Sequence, residues 1–193
     1  MLSKWRSLLA RWAHRKTGGA ITMLDLDKAY DRAQPEFLLQ VLHAMKFPDC
    51  FIAIIARLYE DCWARMKVNG HIGDAFRQKN GLRQGLPSSC PLWIIYIEPF
   101  IRYLRDDAAL RGITVPGNMG VGETQHKVDA FADDIRTYCA DMQDVAHVLS
   151  TERGKPVATL YGAAAQTLAV HKVSVVTCGS TSNAARPDIA IKR

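Results

Sequence analysis

Two adjacent carboxylates, Asp133 and Asp134, stand between short apolar runs in the stretch Val128-Asp129-Ala130-Phe131-Ala132-Asp133-Asp134-Ile135-Arg136-Thr137-Tyr138. Short apolar runs on either side of a polar dipeptide predict a β-hairpin with the two acids at its tip. Neighbouring carboxylates repel, and the repulsion costs free energy unless a proton or a cation offsets it. The pair therefore reads either as a divalent metal site or as a plain surface turn, which Asp favours for its own hydrogen-bonding reasons.

Two further stretches bear on that choice. Ile21-Thr22-Met23-Leu24-Asp25-Leu26-Asp27-Lys28-Ala29-Tyr30-Asp31 is an apolar strand that ends in acids. Gly81-Leu82-Arg83-Gln84-Gly85-Leu86-Pro87-Ser88-Ser89-Cys90-Pro91-Leu92 is a loop punctuated by Gly and Pro that opens a long apolar helix. In this order and spacing the three resemble motifs A, B and C of a reverse transcriptase palm, of the kind found in non-LTR, LINE-type retrotransposons. Motif A there reads Asp-x-x-Lys-Ala-Phe/Tyr-Asp, motif B Arg-Gln-Gly-x-Pro-x-Ser-Pro, and motif C Phe/Tyr-Ala-Asp-Asp. The resemblance spans about residues 5 to 177, and Leu86 and Cys90 depart mildly from the motif B pattern.

The resemblance implies an α+β fold, a polymerase palm in which an antiparallel sheet packs on helices, with the fingers of a right-hand polymerase incomplete and its thumb missing. Residues 1–178 would form this partial domain, and 179–193, rich in Ser, Asn, Ala and Pro, read as a disordered tail. The implied activity is RNA-directed addition of deoxynucleotides to a primer 3′-OH by two-metal catalysis, with the missing fingers and thumb lying in a full-length parent. Two alternatives stand beside it: a truncated, inactive remnant with at most nucleic-acid binding, and a reverse transcriptase of group II intron type.

By the same resemblance Asp25, Asp133 and Asp134 are the catalytic carboxylates. With the main-chain carbonyl of Leu26 they would hold two Mg²⁺ ions, for which Mn²⁺ can substitute. Oxygen donors suit Mg²⁺, which keeps waters that substrate phosphates can replace. Tyr30 stands where such polymerases place an aromatic ring under the sugar, and a ring there excludes a 2′-OH by volume. Arg83, Gln84 and Gly85 would meet the nucleotide, the first two as donors and the glycine by letting backbone come close. Phe131 would stack at the primer end. For the motif D lysine, expected in Asn-x-x-Lys-Ser, the chain has only His171-Lys172-Val173-Ser174, so Lys172 is the candidate although out of register. RNA template, DNA primer and deoxynucleoside triphosphates are the implied partners.

Composition agrees with this reading without requiring it. The net charge of +6 is nearly all N-terminal, since Lys4, Arg6, Arg11, Arg15 and Lys16 face no acid before residue 20. Trp5, Leu8, Leu9 and Trp12 fall on one helical face there, which predicts an amphipathic helix over 2–16. That helix reads as packed on the domain, as a membrane-surface helix or as a targeting segment, the first being preferred; no apolar run reaches the ~18 residues of a membrane span, so no transmembrane segment is expected. Five dispersed cysteines without a Cys-x-x-Cys pair read as reduced, mostly buried thiols. That suits the nucleus or cytoplasm; a mitochondrial address, suggested by the basic N-terminus, is not favoured.

Along the rest of the chain, Pro35 predicts a helix start. Asn69-Gly70 predicts a hairpin between 63–68 and 72–78. Asp141 predicts the cap of a helix to Leu149. Residues 111–126 read as a loop with one short strand, a helix is expected after the break at Gly154-Lys155-Pro156 and up to about Leu168, and a strand over 173–176. The sugar-gate assignment yields a test in a longer chain that supplies the fingers: Tyr30→Val should raise ribonucleotide over deoxynucleotide incorporation. An unchanged ratio in competitive single-nucleotide addition would remove Tyr30 from that role.

Overall fold

The computed structural model describes residues 19–115, 124–150, 162, 164, 166–169 and 172–178. The expected N-terminal helix, the tail from 179 and most of 151–165 lie outside them. In chain order the elements are β1 (Gly19–Leu24), α1 (Ala29–Arg32), α2 (Pro35–Ala44), α3 (Asp49–Glu60), β2 (Trp63–Val68), β3 (His71–Arg77), α4 (Ser89–Asp106), β4 (Ile113–Val115), β5 (Thr124–His126), β6 (Val128–Phe131), β7 (Asp134–Cys139), α5 (Met142–Leu149) and β8 (Ser174–Cys178). The chain divides into two compact units. One takes the described residues of 1–27, 100–162 and 167–193, the other those of 28–99 and 163–166. No helix among the described residues is long and apolar enough to cross a membrane.

The first unit is built on a four-stranded sheet of order β6-β7-β1-β8, antiparallel throughout. The two-residue alternation of a strand sorts β1 into faces: Ala20, Thr22 and Leu24 are buried, while Met23 is exposed. On β7, Ile135, Thr137 and Cys139 share the buried face. Thr22 and Thr137 stand opposite each other, and their buried hydroxyls hydrogen-bond. Helix α5 packs against β1 and β7 with Val145, Val148 and Leu149 buried. Its start is set as expected by Asp141, whose carboxylate accepts the Gln143 and Asp144 N–H groups at 2.9 and 3.2 Å. Asp144, almost wholly buried, accepts the Ala140 N–H at 2.8 Å and Arg111 Nε and Nη2 at 3.1 and 3.0 Å.

The second unit is mainly helical. Pro35 opens α2 as predicted, and Leu38, Val41 and Leu42 of α2 and Ile52 and Ile55 of α3 are buried. The Gln34 N–H donates to the Tyr96 hydroxyl at 3.1 Å, which in turn donates to the Ala164 carbonyl at 2.6 Å. Tyr30, Trp93 and Tyr96 stack in series, with ring centroids 5.1 and 5.6 Å apart, and Phe37 meets Tyr96 edge-on. Strands β2 and β3 form the expected hairpin. Asn69 and Gly70 both have positive φ, 50° and 87°, as a tight two-residue turn of type I′ demands.

Four expectations change. Residues 113–115 and 124–126 are two paired strands, not one strand in a loop. Leu168 sits in an antiparallel bridge with Leu26, so the expected helix does not reach it. The late strand runs over 174–178, later than predicted, because its partners on β1 are Gly19 to Met23. Of the cysteines, Cys62 and Cys139 are buried but Cys50 and Cys90 are exposed, because each lies on the solvent side of its helix.

The Asp141 cap has a pH signature. Burial pushes its carboxyl up, but hydrogen bonds from the Arg111 guanidinium and the Asp144 and Gln143 N–H groups outweigh that and hold it below the ordinary value. A depressed folded value means that the stabilisation is complete above the unfolded carboxylate value and is lost as pH falls through the folded one. Asp141→Ala should cost about 1 kcal/mol at neutral pH, the usual worth of such a cap. In paired melting curves the gap between the two proteins should close as pH drops below about 4; a gap independent of pH would contradict this.

Candidate functional site

Strand β1 delivers Asp25 to the edge of the first unit's sheet. The last registered pair with β7 is Leu24 with Ile135, so one further step sets Asp25 across from Asp134. Alternation puts Asp25 on the open face with Met23, opposite the buried Leu24 and Leu26. Its side chain is 42% exposed.

The β6–β7 turn differs by one residue from the sequence expectation. Phe131 pairs with Asp134, so the central turn residues are Ala132 and Asp133, while Asp134 is the first residue of β7. Only Asp133 is therefore at the tip. Ala132 has φ +55°, a left-handed conformation that an L-residue adopts at a cost of about 1–2 kcal/mol. The positive φ falls on the first of the two central residues, and Asp133 and Asp134 beside it are both exposed. Strain at such a turn is typical of functional sites.

The other edge of Asp25 is held by Thr167 and Ala169, with Lys172 beside them. The Ala169 N–H donates to the Asp25 carbonyl and the Asp27 N–H to the Thr167 carbonyl, each at 2.8 Å. Because these bonds run through residues 25 and 27, the Leu26 carbonyl points to the opposite edge, the side of β7, as a ligand role would require. The Lys172 N–H donates to the Ala169 carbonyl at 2.8 Å, and Lys172 Nζ lies 3.3 Å from Asp25 Oδ2. Lys172, out of register with its motif in sequence, thus meets the motif A carboxylate in space.

The same open face carries residues that the sequence reading passed over. Asp129 accepts the Tyr138 hydroxyl at 2.9 Å and lies 3.0 Å from His126 Nε2. Burial and the Asp129 carboxylate both push the Tyr138 phenol well above its ordinary value, so it stays a donor. Alternation along Val128-Asp129-Ala130-Phe131 already set Asp129 beside Phe131 and was the available signal. Phe131 itself is 81% exposed, its ring open to a stacking partner.

The remaining candidates belong to the second unit. The loop of motif B is pinned to the end of motif A: the Leu82 N–H donates to the Tyr30 carbonyl at 2.8 Å and the Gly81 N–H to the Ala33 carbonyl at 2.7 Å. Tyr30 is half-buried against Trp93. Arg83 Nη2 donates to Cys62 Sγ at 2.7 Å, and Gln84 Nε2 reaches Asp31 Oδ1 at 3.5 Å. Gly85 has φ +85° with open space where a Cβ would stand, so backbone conformation is what requires glycine there.

The donor set of Asp25, Asp133, Asp134 and the Leu26 carbonyl is all oxygen, which fits Mg²⁺ or Mn²⁺ by chemistry. Among the described residues, however, no three His, Cys, Asp or Glu side chains converge closely enough to hold a metal. The carboxylates are at the ends of adjacent strands, and one of them has a lysine on it.

Comparison with known proteins gives these features a context. A family model described as reverse transcriptase (RNA-dependent DNA polymerase) matches residues 3–173. The transposon TX1 uncharacterized 149 kDa protein of Xenopus laevis is 29% identical over 152 residues, which are 78% of this chain and 11% of that protein. Two solved telomerase structures from Candida tropicalis share the fold. The apo form, truncated from its C-terminal domain, has a TM-score of 0.56 at 13% identity, over 91% of this chain and 34% of that one. The complex with a TWJ fragment of telomeric RNA has a TM-score of 0.58 at 12% identity, over 91% and 29%.

The strained turn yields a stability test. Ala132→Val places a β-branched side chain at positive φ and should lower stability by roughly 1–3 kcal/mol. Ala132→Gly should be neutral or slightly stabilising, because relief of the left-handed strain offsets the added freedom of the unfolded chain. Equal destabilisation by both in denaturant titrations would show that side-chain packing, and not φ, governs the position.

Proposed function

This chain belongs to the reverse transcriptase (RNA-dependent DNA polymerase) family, and from that premise we propose that it forms part of a LINE-type retroelement polymerase. In this reading it extends a primer 3′-OH with deoxynucleotides on an RNA template. The observation that carries the proposal is the register of β1 against β7, which sets Asp25 one step beyond the Leu24–Ile135 pair and across from Asp134. The transposon protein matched in Xenopus laevis supports the retroelement origin.

Asp25, Asp133, Asp134 and the Leu26 carbonyl would hold two divalent ions, which when bound activate the attacking oxygen and offset charge on the triphosphate. The exposed turn lets Asp133 and Asp134 swing toward Asp25 without disturbing the buried face of the sheet. Phe131 offers a ring for the primer end, Tyr30 a ring against a 2′-OH, and Arg83 and Gln84 donors to the nucleotide, once released from Cys62 and Asp31. Lys172 supplies positive charge beside the carboxylates.

A second reading has an observation in its favour. The described carboxylates do not converge and Lys172 is on Asp25, as an inactive remnant would also show. Single-nucleotide addition at high protein concentration separates the two, because it asks for one bond and not for processive movement. With poly(rA)/oligo(dT), dTTP and Mg²⁺ or Mn²⁺, a longer chain that supplies the fingers and thumb should add one nucleotide, and Asp133→Ala in it should lose at least roughly 100-fold. Even loss of a ligand's hydrogen-bonding neighbour can cost that much. Absence of addition, or addition indifferent to Asp133→Ala, favours the remnant.

A further inference from the structure

Resting on the polymerase reading, we propose that Lys172 is the resident counter-ion of Asp25 in the metal-free protein, and that a divalent ion must displace it to use this carboxylate. Nζ stands 3.3 Å from Oδ2. This is not a chance meeting of two long surface side chains. The lysine's own N–H is tied to the Ala169 carbonyl, the Ala169 N–H to the Asp25 carbonyl, and the Asp27 N–H to the Thr167 carbonyl, each at 2.8 Å. Three main-chain bonds thus hold the backbone that carries the ammonium against the backbone that carries the carboxylate.

The chemistry of the pair is that of an exchange. An acid placed to share cations with Asp133 and Asp134 is repelled by them when no cation is present, and a tethered ammonium offsets that repulsion. A divalent ion on the same carboxylate would stand within a few ångströms of the ammonium and repel it. Both side chains are about half exposed, 53% for Lys172 and 42% for Asp25, so the pair is weak enough to give way. Loading of the cation site and release of the lysine are then one event.

The test is calorimetric titration of Mn²⁺ into the full 193-residue chain, with melting curves to establish that each variant is folded. Removing the competing cation in Lys172→Met should tighten Mn²⁺ binding about two- to fivefold at low salt, the range set by the worth of an exposed ion pair. The gain should shrink as salt rises. In an Asp25→Asn background the same substitution should change nothing, since the contested carboxylate is gone. Lys172→Arg, which keeps the charge and can bind a carboxylate with two nitrogens, should bind Mn²⁺ no more tightly than wild type.

Unchanged or weaker binding in Lys172→Met overturns the proposal. So does an equal gain with and without Asp25, which would be a long-range charge effect, and so does tighter binding in Lys172→Arg. If Mn²⁺ affinity falls in Asp133→Ala yet ignores Lys172→Met, the counter-ion role is wrong and the polymerase site stands. If it ignores Asp25→Asn and Asp133→Ala as well, both fall together.

Discussion

The register of β1 against β7 is the constraint on which the site depends. It is locked by a polar contact, the buried hydroxyl pair of Thr22 and Thr137 in the middle of an otherwise apolar face. Two hydroxyls that satisfy each other are tolerated in a core, whereas one left alone costs about 1–3 kcal/mol. A strand slipped by one residue would separate them and turn every side chain to the other face. Met23 and Asp25 would then be driven into the core and Ala20, Thr22 and Leu24 out of it. The free energy that buries Thr22 is thus the same that keeps Asp25 on the open face and one step across from Asp134. The geometry of the candidate site is a consequence of core packing, not a separate arrangement added to it.

Strand β1 is also where segments far apart in sequence are brought together. It pairs with β7 on one side and with β8, then the Leu26–Leu168 bridge, on the other. Asp25, Asp134 and Lys172 come from the residue that follows β1, from β7 and from the stretch that follows the Leu26–Leu168 bridge. Because all the pairings are non-local, the site exists only when the sheet is complete. Its residues have no local means of finding each other in the unfolded chain.

What was legible in the sequence follows from that distinction. Local rules were read correctly: Pro35 at a helix start, Asn69-Gly70 at a two-residue turn, Asp141 as a cap, the antiparallel sheet beside helices. Each depends on a few neighbouring residues whose backbone preferences are strong. The missing parts depended on pairing at a distance. Nothing around Leu168 or Ser174 announces that their partners are Leu26 and Met23. The one-residue error at the Asp133-Asp134 turn has a similar cause. Ala is a poor residue for positive φ, so sequence preference pointed to the two acids as the turn, and only the pairing of Phe131 with Asp134 places the strain on Ala132. Lys172 is the sharpest case: comparison with a motif pattern set it out of register, while the fold carries it to Asp25.

The exposure of the Lys172–Asp25 pair has a meaning that its distance alone does not convey. Had the same two charges been buried, breaking them would leave an uncompensated ion in a low dielectric, at a cost of about 3–5 kcal/mol. A divalent ion would have to supply that free energy before gaining anything from Asp25. On a half-exposed face, water takes over the solvation of whichever partner is released, and the pair contributes about 0–1 kcal/mol. Such a contact relieves part of the repulsion among the acids yet hardly opposes their ligation. An open sheet face therefore does two things that a closed site could not: it leaves Asp25, Asp133 and Asp134 solvated without a metal, and it keeps the ammonium beside Asp25 easy to remove.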